Sequence, residues 1–131
     1  MNKELPGQAL CRIEELRDGA AISRDVTVGT RELSLLVLAD KGEVRVYLNS
    51  CPHTGIRLEW RPDDFMDASG DYLQCAMHGA LFQPADGRCV SGPCVDESLI
   101  SVEAKVIEGQ VILVNAVDIP DTARMTNPRG N

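Results

Sequence analysis

Two short cysteine–histidine pairs constrain this chain more than anything else in it: Cys51-Pro52-His53 and Cys75-Ala76-Met77-His78. The pattern is C-x-H, then C-x-x-H, with 21 residues between His53 and Cys75. These are the only histidines in the chain. Each stands beside a cysteine at a spacing that lets two side chains converge on one site, and a glycine follows each pair closely (Gly55, Gly79). A lone histidine is more often a packed or solvated side chain. Two of them in two such pairs read as a metal site.

Two thiolates and two imidazoles suit two kinds of centre. A single Zn²⁺ accepts two sulfurs and two nitrogens tetrahedrally. A [2Fe–2S] cluster can divide the same four groups, both cysteines on one iron and both histidines on the other. Ligand type leaves both open; ligand order favours the cluster. Zinc modules more often pair like with like, C-x-x-C and then H-x-x-x-H. Here each short loop supplies one of each, which suits two similar loops gripping an elongated cluster from opposite sides.

The frame around these loops is a single domain of 131 residues, 44% apolar, long enough to bury a modest core. No apolar run approaches the roughly 20 residues that span a bilayer. The N-terminal Met1-Asn2-Lys3-Glu4 lacks the order of a signal peptide, so a cytoplasmic protein is expected. Five cysteines, an odd number, argue against a disulfide framework. The net charge of −7 argues against nucleic acid and anionic membranes as partners. Between Cys51 and Glu97 stand eight acids against three bases. Such acidity serves solubility; as a docking face it calls for a basic partner.

The expected fold is all-β. Glu43–Leu48 alternates and is joined to the apolar run Leu35-Leu36-Val37-Leu38-Ala39 by Asp40-Lys41-Gly42, a hairpin signal. Residues 101–106 and 110–114 form a second hairpin across Glu108-Gly109. Residues 9–14 and 20–28 can each form a strand, and 14–18 a helical turn. The segment 51–97 is turn-rich, with Pro52, Pro62, Pro84 and Pro93, and holds short strands at 72–75, 80–83 and 88–90. It has little apolar surface of its own, so a bound metal centre would hold it together. These readings give a basal antiparallel sandwich or barrel from 1–47 and 98–117. A metal-binding part at 48–97 is inserted into it, and a tail follows at 118–131.

Cys51-Pro52-His53-Thr54-Gly55 and Cys75-Ala76-Met77-His78-Gly79-Ala80-Leu81-Phe82 resemble the two cluster loops of Rieske [2Fe–2S] proteins. The similarity continues through Pro84-Ala85-Asp86-Gly87-Arg88-Cys89-Val90 to Gly92-Pro93, where the family has a third, proline-containing loop over the cluster. The resemblance implies one [2Fe–2S] cluster, with Cys51 and Cys75 on the inner iron and His53 and His78 on the outer, more exposed iron.

The departures from the family pattern carry information. The spacer before Cys75 is longer than in many members, and the surplus falls in 61–70; Trp60 and Phe65 either pack this excursion down or fill local core. High-potential members carry an extra cysteine in each loop, and here Ile56 and Met77 stand at those positions. The same members place a serine and a tyrosine where this chain has Ala80 and Phe82. Hydroxyl donors to sulfur favour the more negative, reduced cluster. Two neutral hydrogen bonds of about 1 kcal/mol each, at 59 mV per about 1.4 kcal/mol, amount to on the order of 100 mV. The expected potential is therefore low in the Rieske range, toward about −150 mV. Cys89 and Cys94 read as two small side chains near the cluster rather than a disulfide, and Cys11 as a strand residue.

The resemblance implies an electron carrier rather than an enzyme. It would be a Rieske-type ferredoxin passing single electrons from a reductase to a terminal oxidoreductase such as an oxygenase. The alternative is an electron-transfer subunit of a larger enzyme, similar to the small subunit of nitrite reductase. An oxygenase in its own right needs a second iron on two histidines and a carboxylate, and both histidines here are already committed. A structural zinc protein would be colourless and redox-silent.

Overall fold

Two tight turns of the same kind organise the base. In the computed structural model, which describes residues 8–16, 19–28, 31–51, 58, 65–75, 79–92, 95 and 97–115, Lys41 and Gly42 both have positive φ (52° and 83°). So do Glu108 and Gly109 (52° and 77°). Positive φ at both central residues is the two-residue turn whose twist matches a β-hairpin, and glycine takes the second position without a Cβ penalty. The first turn joins strands β3 (Arg31–Asp40) and β4 (Glu43–Leu48); the second joins β8 (Glu103–Ile107) and β9 (Gln110–Asn115).

Strands β1 (Ala9–Arg12) and β2 (Ala21–Val28) complete two antiparallel sheets, β1-β9-β8 and β2-β3-β4. A third sheet is built from the short strands β5 (Leu73–Gln74), β6 (Leu81–Phe82) and β7 (Cys89–Ser91), in the order β5-β6-β7. The described residues contain no α-helix; Ile13–Glu15 form a single 3-10 turn, one residue earlier than expected. The fold is all-β, as the sequence indicates. Strand β3 is longer than its apolar run, because β2 pairs with it from Val28↔Arg31 to Ala21↔Leu38.

The apolar run has a physical reason: β3 is buried on both faces. Leu33, Leu35 and Val37 point into one core with Leu10, Val46, Leu48, Val111 and Leu113. Leu36 and Leu38 point the other way, into a second core with Tyr47, Cys51, Leu58, Phe65, Leu73, Cys75, Ala80, Phe82 and Leu99. Side chains alternate along a strand, so an unbroken apolar sequence is what a strand between two cores requires. Each fully buried leucine contributes about 1.5–3 kcal/mol. β4 is extended past its hairpin by residues 100–102: Leu48 N donates to Ile100 O (2.8 Å) and Val102 N to Val46 O (2.9 Å). This pairing joins the sheets and returns the chain from the second core to the base.

Candidate metal centre

Cys51 and Cys75 lie in the same buried cluster, 1% and 0% exposed. Cys51 comes three residues after the end of β4, and Cys75 directly follows β5. The base strand and the short third sheet therefore each deliver one thiol to a common interior.

The loop after Cys75 is closed by its own backbone. Cys75 N donates to Ala80 O (2.9 Å), and Gly79 N donates back to Cys75 O (2.8 Å). Gly79 has φ +72°, a left-handed residue at the point where the chain turns toward β6. The loop after Cys51 is closed differently. The side chain of Asn49, fully buried, accepts a hydrogen bond from Leu58 N at Oδ1 (2.9 Å), while its Nδ2 donates to Ser34 Oγ (3.2 Å). Asn49 N also donates to Ser34 O (2.8 Å).

A third segment presses on the second loop. A Cβ built on Gly92 would stand 2.8 Å from Ala80 Cα. The chain leaving β7 toward Pro93 thus lies directly on the residue that closes the Cys75 loop. Cys89, also buried, donates from Sγ to Ser91 O (3.3 Å) within this edge.

Below the loops, Phe65 is buried in the second core and its carbonyl accepts from Gln74 N (2.7 Å). The chain turns back at 67–70, where the Asp67 carboxylate accepts from Ser69 Oγ, Gly70 N and Tyr72 N (2.8, 3.1 and 3.3 Å). These donors, the Ser69 hydroxyl foremost, hold the Asp67 carboxyl below its usual range. Phe65 is core, and the exposed part of the expected excursion that can be described is this turn. Of the acids described in the segment, Asp71, Asp86 and Glu97 are exposed.

His53 and His78, together with Ile56, Trp60, Met77 and Cys94, lie outside the described residues. Among the described residues no group of three or more His, Cys, Asp and Glu side chains is placed to hold a metal. The two thiols fit a metal–sulfur centre on their own chemistry: thiolates buried in one apolar cluster are costly without a cation, and iron would supply the positive charge. Asn49 and Tyr47 shape this site without standing out in the sequence. The one local sign of Asn49 is a polar residue at the end of an alternating apolar strand, directly before the first pair.

Comparison with known proteins gives a consistent picture. The model of the Rieske [2Fe-2S] domain family matches residues 7–117. No curated protein matches the chain by sequence. Among solved structures, a ferredoxin of Sphingomonas yanoikuyae B1 is similar at 24% identity and a TM-score of 0.64, over 84% of this chain and 99% of that one. A chain from a complex of reduced oxygenase and oxidized ferredoxin in carbazole 1,9a-dioxygenase is similar at 23% identity and TM-score 0.64, over 85% and 94%. The terminal oxygenase of carbazole 1,9a-dioxygenase from Nocardioides aromaticivorans IC177 is similar at 21% identity and TM-score 0.64, over 84% of this chain but only 30% of its own. At these identities the likeness is one of fold.

Proposed function

The chain belongs to the Rieske [2Fe-2S] domain family, and from that premise we propose that it is a ferredoxin-like carrier of single electrons from a reductase to a terminal oxidoreductase such as an oxygenase. The observation that carries the reading is the convergence of Cys51 and Cys75 in one buried core, from the base strand and from the third sheet. We assign the ligands as Cys51, His53, Cys75 and His78. A [2Fe–2S] cluster bound there takes up and gives back one electron at a time.

The chain's own residues do the rest. Cys51 and Cys75 hold their thiolates out of water. The backbone bonds at Cys75, Gly79 and Ala80 close the second loop on itself, and the Asn49 side chain ties Leu58 to Ser34 of the base. The similarity to a ferredoxin and to the carbazole 1,9a-dioxygenase complex supports a redox partner of the oxygenase kind. The exposed Asp71, Asp86 and Glu97 support a partner with a basic docking face. We read 48–97 as the cluster-bearing part set into a base of 1–47 and 98–117. No helix among the described residues is long and apolar enough to cross a membrane, which is compatible with the cytoplasmic site we propose.

The test is the absorption and EPR spectra of freshly purified protein, before and after dithionite. A brown protein that bleaches partly and gives a rhombic signal below the free-electron g value is expected. His53→Ala and His78→Ala should each abolish that signal. A colourless protein with one zinc, silent even after reconstitution with iron and sulfide, would overturn the reading.

A further inference from the structure

β4 ends at Leu48, and the chain runs through Cys51 and His53 before Leu58 returns to the core. A side chain links the two described residues on either side of this stretch, Asn49 and Leu58. Asn49 Oδ1 accepts from the buried Leu58 N–H, its Nδ2 reaches Ser34 Oγ, and its own N–H donates to Ser34 O. Ser34 sits on β3, the strand buried between both cores, and is itself 3% exposed. Asn49 and Leu58, on either side of Cys51, are thus both tied to β3 through one amide.

We propose that Asn49 is the positioning residue of the electron-transfer centre: it sets where Cys51 stands by clamping Leu58 to Ser34. It touches no reacting atom and acts through the loop. The proposal rests on the electron-carrier reading for the identity of the bound cluster, not for the clamp itself.

The physics gives direction. A buried N–H left without an acceptor costs far more than an average hydrogen bond gains. With Asn49→Leu, similar in size but without an acceptor, the Leu58 N–H must find water, and Leu58 parts from β3 to do so. Opening exposes cluster sulfur to solvent, which favours the reduced state. Two changes follow in the holoprotein: the reduced EPR line broadens as loop geometries multiply, and the potential rises.

The experiment compares purified holoproteins of the wild type, Asn49→Leu, Ser34→Ala and Val37→Ala. Val37 is fully buried in the opposite core, so its truncation lowers stability without touching the loop. Cluster release to a chelator should be about tenfold faster or more in Asn49→Leu, with a broadened line and a raised potential. Ser34→Ala, which keeps the bond to Leu58, should change line and potential in the same sense but less; it carries the test if Asn49→Leu yields no soluble protein. Val37→Ala should melt earlier and keep both the wild-type line and potential. The proposal is overturned if Asn49→Leu and Ser34→Ala keep the wild-type line and potential, or if they release the cluster no faster than Val37→Ala. Should the wild type hold one zinc, the electron-carrier reading fails separately, and the clamp is judged by zinc release from the same variants.

Discussion

The phenol of Tyr47 donates a 2.7 Å hydrogen bond to the carbonyl of Pro84, 37 residues further along the chain. Tyr47 belongs to β4 of the base, and Pro84 to the turn that follows β6. The ring lies so close to Gly87, in the same turn, that a Cβ there would stand 2.9 Å from Cε1. One side chain thereby locks the third sheet onto the base. Burial, ahead of all other causes, pushes the phenol up to about 12. A tyrosine in an unfolded chain ionises near 10. The folded state therefore keeps its proton where the unfolded state loses it. The lock contributes fully below about pH 10, and its contribution is lost as pH rises toward about 12. Tyr47→Phe should cost about 1–2 kcal/mol at neutral pH, because the Pro84 carbonyl loses its donor. It should also flatten the alkaline decline. Urea denaturation of wild type and variant, at neutral pH and at about pH 11, checks both; parallel declines would place the alkaline sensitivity elsewhere.

Gly92 and Gly42 make a matched pair of tests. Both have positive φ (102° and 83°), so alanine at either strains the backbone by about 1–2 kcal/mol. A Cβ on Gly42 meets nothing within 4 Å, whereas one on Gly92 runs into the Ala80 backbone. Gly42→Ala should lower the melting temperature and leave the cluster spectrum untouched. Gly92→Ala should lift the segment before Pro93 off the Cys75 loop and reduce the cluster content of the purified protein. Iron and sulfide per chain, measured on both variants, decides it. Equal content would mean that the contact at Ala80 yields without consequence for the loop.

Cys11 offers a test of the base. It is buried on β1, and burial, with the nearby Glu15 carboxylate adding to it, raises its thiol above the usual range, against the pull of Arg24. The reactive species is the thiolate, so alkylation at mildly alkaline pH should be slower than in the unfolded chain by an order of magnitude or more. Timed iodoacetamide labelling read by peptide mass spectrometry gives the rate. Labelling at the unfolded rate would mean that β1 opens readily from β9.

What the sequence makes legible is what depends on near neighbours. Lys41-Gly42 and Glu108-Gly109 announce their hairpins because a two-residue turn needs positive φ there and nothing from afar. Cys51 and Cys75 stand out because each begins a short Cys–His pair; that both are buried in one cluster is what the structure adds. The unbroken run Leu35–Ala39 reads as a buried strand, but its division between two cores does not. That division depends on the third sheet folding back over Leu36 and Leu38. Asn49 and Tyr47 are invisible for the same reason: their partners lie 15 and 37 residues away. Local pattern places Phe65 in either of two roles, and only the return of Gln74 to its carbonyl makes it core.

Ala80 and Phe82 carry the prediction closest to function. Both are fully buried beside Cys75 in the second core, one closing the Cys75 loop through its carbonyl and the other on β6. Neither side chain has a hydrogen-bond donor. The Rieske pattern of high-potential members, by resemblance, has hydroxyls at both positions. A hydroxyl aimed at cluster or ligand sulfur stabilises the reduced state, and one such bond of about 1 kcal/mol corresponds to roughly 40 mV for a one-electron couple. Ala80→Ser and Phe82→Tyr should each raise the potential by about that much. Together they should approach 100 mV in order of magnitude, from a wild-type value near the low end of the family range, about −150 mV. Each variant adds one oxygen to a packed interior, so a modest loss of stability is also expected, larger for Phe82→Tyr, whose ring is fully enclosed. Potentiometric EPR titration of the wild type and the three variants measures the shifts on the cluster itself. Unchanged potentials, with the added hydroxyls accommodated and the cluster intact, would show that these two positions do not point at sulfur in this chain. The potential would then be set by the burial around Cys51 and Cys75 and by nearby acidic residues.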